Sequence, residues 1–317
     1  MPIRNVNSNN QNCTIIILSY NTKDITDTCL RKAKAAAAYS KKILGNEITI
    51  VVVDNNSQDG SCEMIKKKYS DVHSMFLAEN VGCSRGNNLA MVEVSTPFIL
   101  LLNSDAYLNK DTLEKSLEYM ANNQSCDVLC VRQIYRDGRF QPFGGSLPTP
   151  WRTIFWTLGI ESLPVIKHFI HPIYQYTPSF FDKEQHMEWC STAFFMLRKK
   201  VYEKTGGFDE SLFLFVEDME WCKRIKDNHF AICYTPSISI VHLGGSTSKK
   251  LSQIVLLERH TEGMLYFHKV HYPRSLRCIS RFLFAGMMLR AAFYAVIGKN
   301  EKAKAYKKIM EKALDLK

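Results

Sequence analysis

The chain has 317 residues, 46% of them apolar and 11% aromatic, enough for one large domain or a domain with an appendage, which excludes global disorder. Its formal net charge is +10, and the whole excess lies in residues 249–317, where 15 Lys/Arg meet 5 Asp/Glu, while the remainder carries 26 of each sign. The ten cysteines are scattered singly without a CxxC pair, which excludes a zinc site of standard spacing. With a polar N-terminus that lacks a signal peptide, they predict reduced thiols packed in the core of a cytosolic protein.

Residues 1–12 read as a flexible leader. The β-branched run CTIIIL (13–18) predicts a fully buried strand ending at Ser19-Tyr20-Asn21. A helix is expected from Asp24 to Leu44, capped near Thr22, with the turn at Gly45-Asn46. ITIVVV (48–53) is a second buried strand, ending at Asp54. The loop NNSQDGS (55–61) then leads into a helix to Tyr69 and a short strand at 72–77. The stretch AENVGCSRGNN (78–88) opens a helix to Val94, and FILLL (98–102) is a fourth buried strand, ending at Asn103-Ser104-Asp105. This alternation predicts an α/β fold, a doubly wound parallel sheet whose ligands bind beyond the carboxyl ends of the strands.

A helix at 111–122 and a strand at 127–132 precede an irregular, Pro-, Gly- and aromatic-rich middle (133–188), expected to loop over the site. WCSTAFFMLRKK (189–200) reads as a strand, followed by a short helix from 201 and the turn GGFDE. FVEDMEWCKRIKDN (215–228) reads as an amphipathic helix, and strands at 230–234 and 238–242 end at His242, before LGGSTSKK. Helices are expected from 251 onward, and no repeat is visible. The apolar stretch 282–297 is broken by Arg290 and falls short of the roughly 20 residues of a membrane span, so lying on a membrane is favoured over crossing it.

Binding a nucleoside diphosphate takes a base platform, a carboxylate for base or ribose, and a means of neutralising two phosphates. Tyr20 could stack on or hydrogen-bond a base, and Asp54 could accept from a base N–H or a ribose hydroxyl. Asn56, Ser57 and Asp59 serve equally as loop formers or ligands. Asp105, the carboxylate most exposed at a strand end, suits a hard cation such as Mg²⁺ or Mn²⁺, and His242 could add a nitrogen. Arg85 is either a phosphate contact or a surface arginine. Glu217 and Asp218 open a helix, whose N-terminal field should keep them ionised; they suit a general base, or a plain helix cap.

Together these pieces resemble the family 2 glycosyltransferases of the GT-A fold. The matching elements span residues 13–246: TIIILSYN, VVVDNNSQDGS, ENVGCSRGNN, ILLLNSDA, WCSTAFFMLRKK, GGFDESLFLFVEDMEWCKRI and VHLGGS. Bacterial rhamnosyltransferase-like members are the most similar subset. The resemblance implies a Rossmann-like mixed, mostly parallel sheet flanked by helices, forming a catalytic domain over 13–248, with a basic helical extension over 249–317. It implies a donor site at Tyr20, Asn21, Asp54, Asn56, Asn80, Arg85, Asn88, Asn103 and Ser104. It places a divalent metal, Mn²⁺ or Mg²⁺, on Asp105 and His242, and the catalytic base at Asp218 beside Glu217. The acceptor side falls at Trp189, Ser191 and Thr192. The expected donor is a UDP- or dTDP-linked sugar, with dTDP-rhamnose the first choice, and the acceptor a glycan or a polyprenyl-diphosphate-linked glycan. The outcome is inversion at the anomeric carbon, in cell-surface polysaccharide synthesis. Two departures stand out: Asn103-Ser104-Asp105 lacks the first carboxylate of the metal motif, and Ser191-Thr192 replaces a smaller pair.

The C-terminal segment mixes basic residues with Tyr266, Phe267, Tyr272, Phe282, Phe284, Phe293 and Tyr294, a composition suited to an anionic membrane interface. A peripheral place on the inner face of the cytoplasmic membrane follows. Packing on the domain or in a dimer interface is the competing reading, and nucleic acid is disfavoured because no nucleic-acid motif accompanies the charge. A sugar-1-phosphate nucleotidyltransferase would carry a Gly-rich phosphate loop after the first strand, where SYNTKD stands instead. A degenerate sugar-nucleotide-binding partner would not need Asp54, Asp105, Asp218 and His242 together.

Overall fold

A computed structural model describes residues 11–160, 171–245 and 252–314. Most of the expected leader, and the expected domain boundary at 248, lie outside the described residues. In chain order the elements are β1 (Cys13–Ser19), α1 (Lys23–Leu44), β2 (Ile48–Asp54), α2 (Ser61–Lys68), β3 (His73–Phe76), α3 (Gly82–Met91), β4 (Phe98–Asn103), β5 (Ala106–Leu108) and α4 (Thr112–Asn122). Then follow β6 (Val128–Ile134), β7 (Gly144–Gly145), α5 (Pro150–Leu158), β8 (Gln185–His186), β9 (Trp189–Cys190), β10 (Phe194–Arg198) and α6 (Lys199–Thr205). The last are α7 (Glu217–Asp227), β11 (Ile232–His242), α8 (Gln253–His271), α9 (Leu276–Val296) and α10 (Asn300–Leu314).

The main sheet has nine strands in the order β3-β2-β1-β4-β10-β6-β11-β5, with β8 also on β11. Strands β1, β2, β3 and β4 run parallel, as do β6 and β11, whereas β10 is antiparallel to both of its neighbours. The mixed, mostly parallel sheet of the GT-A fold is therefore present. The first strands are apolar throughout because both faces are covered. Side chains alternate across a strand, so Ile15 and Ile17 pack with Leu30, Ala33 and Ala36 of α1, while Ile16 packs with Ala90 and Met91 of α3. Each of the buried Ile, Leu and Met side chains contributes about 1.5–3 kcal/mol by leaving water. Helix α1 stops at Gly45, whose φ of 70° closes the last turn onto Lys41.

Several boundaries differ from expectation. The strand expected at 189–200 is split. Ser191 N donates to Phe143 O, which turns the chain from the small β7–β9 sheet into β10. The two strands expected at 230–242 are one, β11, with a register shift between Thr235 and Ser239. The described parts of the irregular middle hold β7, α5 and β8, so they form a packed wall rather than a loose loop. All ten cysteines are free thiols, seven of them buried.

The basic C-terminal segment is only partly an appendage. Met264 and Phe267 of α8 are fully buried in the same cluster as Val216, Trp221 and Phe195. Helix α9 lies on α5, where Arg290 Nη1 donates to Thr157 O at 2.6 Å. Helix α10 folds back on α9, with Tyr294 and Tyr306 stacked at 5.5 Å. By length and composition the run Pro273–Val296, longer than the stretch 282–297 read from sequence, is apolar enough to cross a membrane, and 33% of its apolar window is buried against the protein.

Candidate active site

Register brings the donor-side residues together. Ser19 pairs with Asp54 and Leu18 with Asn103, so Tyr20, Asp54 and Ser104-Asp105 leave adjacent parallel strands at one sheet edge. Tyr20 is half-buried there. The Asp54 carboxylate is fully buried. One of its oxygens accepts from Ser57 N at 2.8 Å and the Cys62 thiol at 3.1 Å. The other, Oδ2, is buried without a protein partner. A buried carboxylate oxygen left without a donor is costly unless a ligand supplies one, which is what a ribose hydroxyl or base N–H does.

The loop after β2 is braced by its own polar side chains. Asn21 N donates to Ser57 Oγ, and Gln58 N donates to Asn21 Oδ1. Asp59 accepts from Lys23 N and from Ser61, capping α1 and α2 at once, so its role is structural. Asn56 takes a φ of 64° beside them. Asn55, which the sequence reading passed over, is 2% exposed and locks the donor loop. Its amide donates to Asn80 Oδ1 and Gly82 O and accepts from Val81 N.

That loop holds the turn before α7. Gly82 has a φ of 87°, and a Cβ there would lie 2.7 Å from the Phe213 ring. The Cys83 amide donates to Phe213 O at 2.8 Å, and Ser84 Oγ donates to Leu212 O. The turn then runs through two consecutive left-handed residues, Phe215 (φ 70°) and Val216 (φ 69°), before α7 begins at Glu217. A β-branched residue in this conformation costs about 1–3 kcal/mol and persists only under tertiary constraint. Helix α8 supplies the rest of that constraint: a Cβ on Gly263 would lie 2.8 Å from Val216 Cγ2 and 3.0 Å from Phe215 O.

Burial raises the Glu217 carboxyl well above its ordinary range, and the charge of Asp218 raises it further. Burial likewise raises Asp218, opposed by the Met219 amide donating to its Oδ1 at 2.8 Å. For Glu217 this runs against the expectation that the helix N-terminal field keeps both carboxylates ionised. Glu217 Oε2 is buried without a partner, as Asp54 Oδ2 is. Glu220 does different work. Burial pushes its carboxyl up, but hydrogen bonds from His271 and Arg224 outweigh that and hold it below its usual value. Arg224 reaches it at 2.6 Å and His271 of α8 at 3.2 Å, which pins α8 to α7.

Asp105 and His242 meet as the sequence suggests, Oδ1 to Nε2 at 3.1 Å, with His242 Nδ1 3.1 Å from Gln133 Oε1. With Nδ1 donating to Gln133 Oε1, Nε2 is turned toward the Asp105 oxygen. Two acceptors so placed fit a hard cation that takes its other ligands from phosphate oxygens and water. Among the described residues no group of three or more His, Cys, Asp or Glu encloses a metal.

Other expected ligands are otherwise engaged. Arg85 sits exposed on α3, 3.8 Å from Glu210. Asn88 spends its amide on Phe208 O, Phe208 N and Glu210, holding the turn after α6. Trp189 is 4% exposed and donates to Ile173 O at 2.8 Å, so it braces the wall instead of facing an acceptor. Ser191 Oγ accepts from Ala193 N, and Thr192 is 8% exposed. Asn103 is half-buried at the end of β4, and Ser104 is buried beside Thr22.

A sheet of this topology, with carboxylates leaving the ends of its parallel strands and a carboxylate pair opening a helix beyond them, is that of the GT-A fold. The sequence pattern of glycosyl transferase family 2 matches residues 14–206, more than half of the chain, which belongs to that family. A similar protein is the low-salt glycan biosynthesis hexosyltransferase Agl10 of Haloferax volcanii, 24% identical over 72% of this chain and 66% of its own length, just under two thirds. Another is the rhamnosyltransferase WbbL of Escherichia coli, 23% identical over 64% of this chain and 78% of its own. Among solved structures, a mannosyltransferase from Pyrobaculum calidifontis in complex with GDP-Man and Mn²⁺ shares the fold, with a TM-score of 0.53 and 13% identity over 96% of this chain and 85% of that one.

Proposed function

We propose that this chain is an inverting glycosyltransferase that moves a sugar from a nucleoside diphosphate to a hydroxyl of a glycan or polyprenyl-diphosphate-linked acceptor in cell-surface polysaccharide synthesis. The observation that carries the reading is the pair of buried carboxylate oxygens without a protein partner, Asp54 Oδ2 at the end of β2 and Glu217 Oε2 at the strained turn that also delivers Asp218. Asp54 would take the ribose or base, with Tyr20 beside it. Asp218 would accept the proton of the acceptor hydroxyl as its oxygen bonds to the anomeric carbon, while the bond from that carbon to the diphosphate breaks and the nucleoside diphosphate leaves. Its raised proton affinity suits a base working near neutrality. Asp105 and His242 would hold a divalent ion, Mn²⁺ or Mg²⁺, which when bound neutralises the diphosphate.

The rhamnosyltransferase and hexosyltransferase relatives support a UDP- or dTDP-linked hexose or deoxyhexose, with rhamnose first. Exposed Arg274, Arg277 and Arg281 on the C-terminal helices, next to an exposed apolar face, support work at the inner surface of the cytoplasmic membrane. The test is nucleoside diphosphate release over a panel of UDP-, dTDP- and GDP-sugars, with Mn²⁺, Mg²⁺ or chelator. One donor turned over only with metal is expected. No turnover and no donor-induced rise in melting temperature across the panel would sink the reading.

A further inference from the structure

A cavity of about 530 Å³ lies against the turn that carries Glu217 and Asp218, on the side of the C-terminal helices. Its size is that of a small-molecule site, roughly 300–1,000 Å³. Leu256 and Leu257 of α8, Tyr294 of α9 and Ala305 and Tyr306 of α10 line it, and Phe215 belongs to the catalytic turn itself. His260 also faces it. Burial lowers that imidazole to about 4, so it lines the cavity as a neutral ring, hydrogen-bonded to Tyr174. Among the described residues the charged lining is limited to the exposed pair Glu301 and Lys302. Whatever touches Phe215 in this cavity ends two residues from Glu217 and three from Asp218.

The cavity is continuous in sequence with an apolar outer face. On α9, Phe282, Leu289, Phe293 and Val296 recur at helical spacing and are 36%, 58%, 59% and 86% exposed, so one residue of the pair Phe293–Tyr294 faces outward and the other lines the cavity. Exposed Arg274, Arg277 and Arg281 lead into that stripe. An apolar slot bordered by Phe215 of the turn that carries Asp218, on a helical hairpin whose outer face is apolar with a cationic end, fits a ligand with a long apolar tail and an anionic head.

We propose that this cavity binds the first part of the apolar chain of a lipid-diphosphate acceptor and so sets the acceptor hydroxyl at Asp218. The inference rests on the transferase reading above and adds where the lipid lies. Farnesyl diphosphate is the probe, measured calorimetrically against the full-length protein and against Leu257→Glu and Ala305→Trp variants. UDP or dTDP, whichever the wild type binds, reports whether each variant keeps its fold and donor site. Expected is farnesyl diphosphate binding to the wild type, weakened at least tenfold in each variant, with nucleotide affinity unchanged. Unaltered farnesyl diphosphate binding in both variants, or none to a wild type that binds nucleotide, overturns the assignment. So does palmitate binding as tightly as farnesyl diphosphate, since a general acyl slot would then be present. A wild type that binds neither nucleotide nor farnesyl diphosphate removes the transferase reading along with this one.

Discussion

The sheet edge at Tyr20, Asp54 and Asp105 and the turn at Glu217 and Asp218 are positioned by different means. At the edge, backbone register aligns the strand ends, and short local hydrogen bonds finish the loops. At the turn, two residues are held in left-handed backbone by close packing against Gly82 of α3 and Gly263 of α8, far away in sequence. The first arrangement follows from strand formation itself, whereas the second depends on remote packing and is open to disruption from outside the site.

The largest break should come at the base. Asp218→Asn is expected to lower kcat by about 10²–10⁴, the range for a positioned general base, with donor affinity unchanged by calorimetry. Next, Asp54→Asn keeps an acceptor for Ser57 N but removes a buried negative charge. A lost charge-assisted hydrogen bond of about 1.5–3 kcal/mol predicts a donor affinity weaker by about 10- to 100-fold. Retained affinity would show that Asp54 only folds its loop.

Gly263→Ala sharpens the comparison, because the same change in an open helix stabilises by about 1 kcal/mol. Here the added methyl meets Val216 and Phe215 O, so a lower melting temperature and a kcat reduced by about tenfold are expected, at constant donor affinity. An unchanged kcat would remove α8 from the active site.

Acidity separates stability from activity at the turn. Both carboxyls titrate above their ordinary values in the folded state, Asp218 at about 6. Their contribution to stability is therefore fully present below the ordinary carboxyl range and is lost as pH rises through the raised values. Activity runs the other way, falling as pH drops below about 6 and the base takes up a proton. Glu217→Gln should raise the melting temperature at pH 8 by roughly 1–2 °C, the shift of about 1 kcal/mol in a chain of this size. A lowered melting temperature at pH 8 would contradict burial as the cause. The smallest effect is Arg85→Ala, within about 0.5 kcal/mol in both stability and donor binding, because its exposed guanidinium faces Glu210.

Most of the donor edge was legible in the sequence, because fully apolar β-branched runs ending in Asp or Ser-Asp announce buried parallel strands and their outlets. The Asp105–His242 pairing was legible too, each residue closing a strand. What was not legible lay in side-chain commitments. Asn88, Arg85 and Trp189 match a motif by type, yet only three-dimensional packing shows that they brace the turn after α6, pair with Glu210 and fill the wall. Nor does any local pattern announce left-handed backbone at Phe215-Val216, where no glycine stands, or Gly263 beneath it. The basic excess of 249–317 drew attention to charge and concealed that Met264, Phe267 and His271 belong to the core around α7.

The most direct measurement compares wild type and Asp218→Asn in one experiment, following donor affinity and nucleoside diphosphate release with the preferred sugar nucleotide, metal and acceptor. Equal affinity with release lowered by at least about 10² is the predicted result. Equal release from both proteins would contradict the assignment of the turn as the catalytic centre.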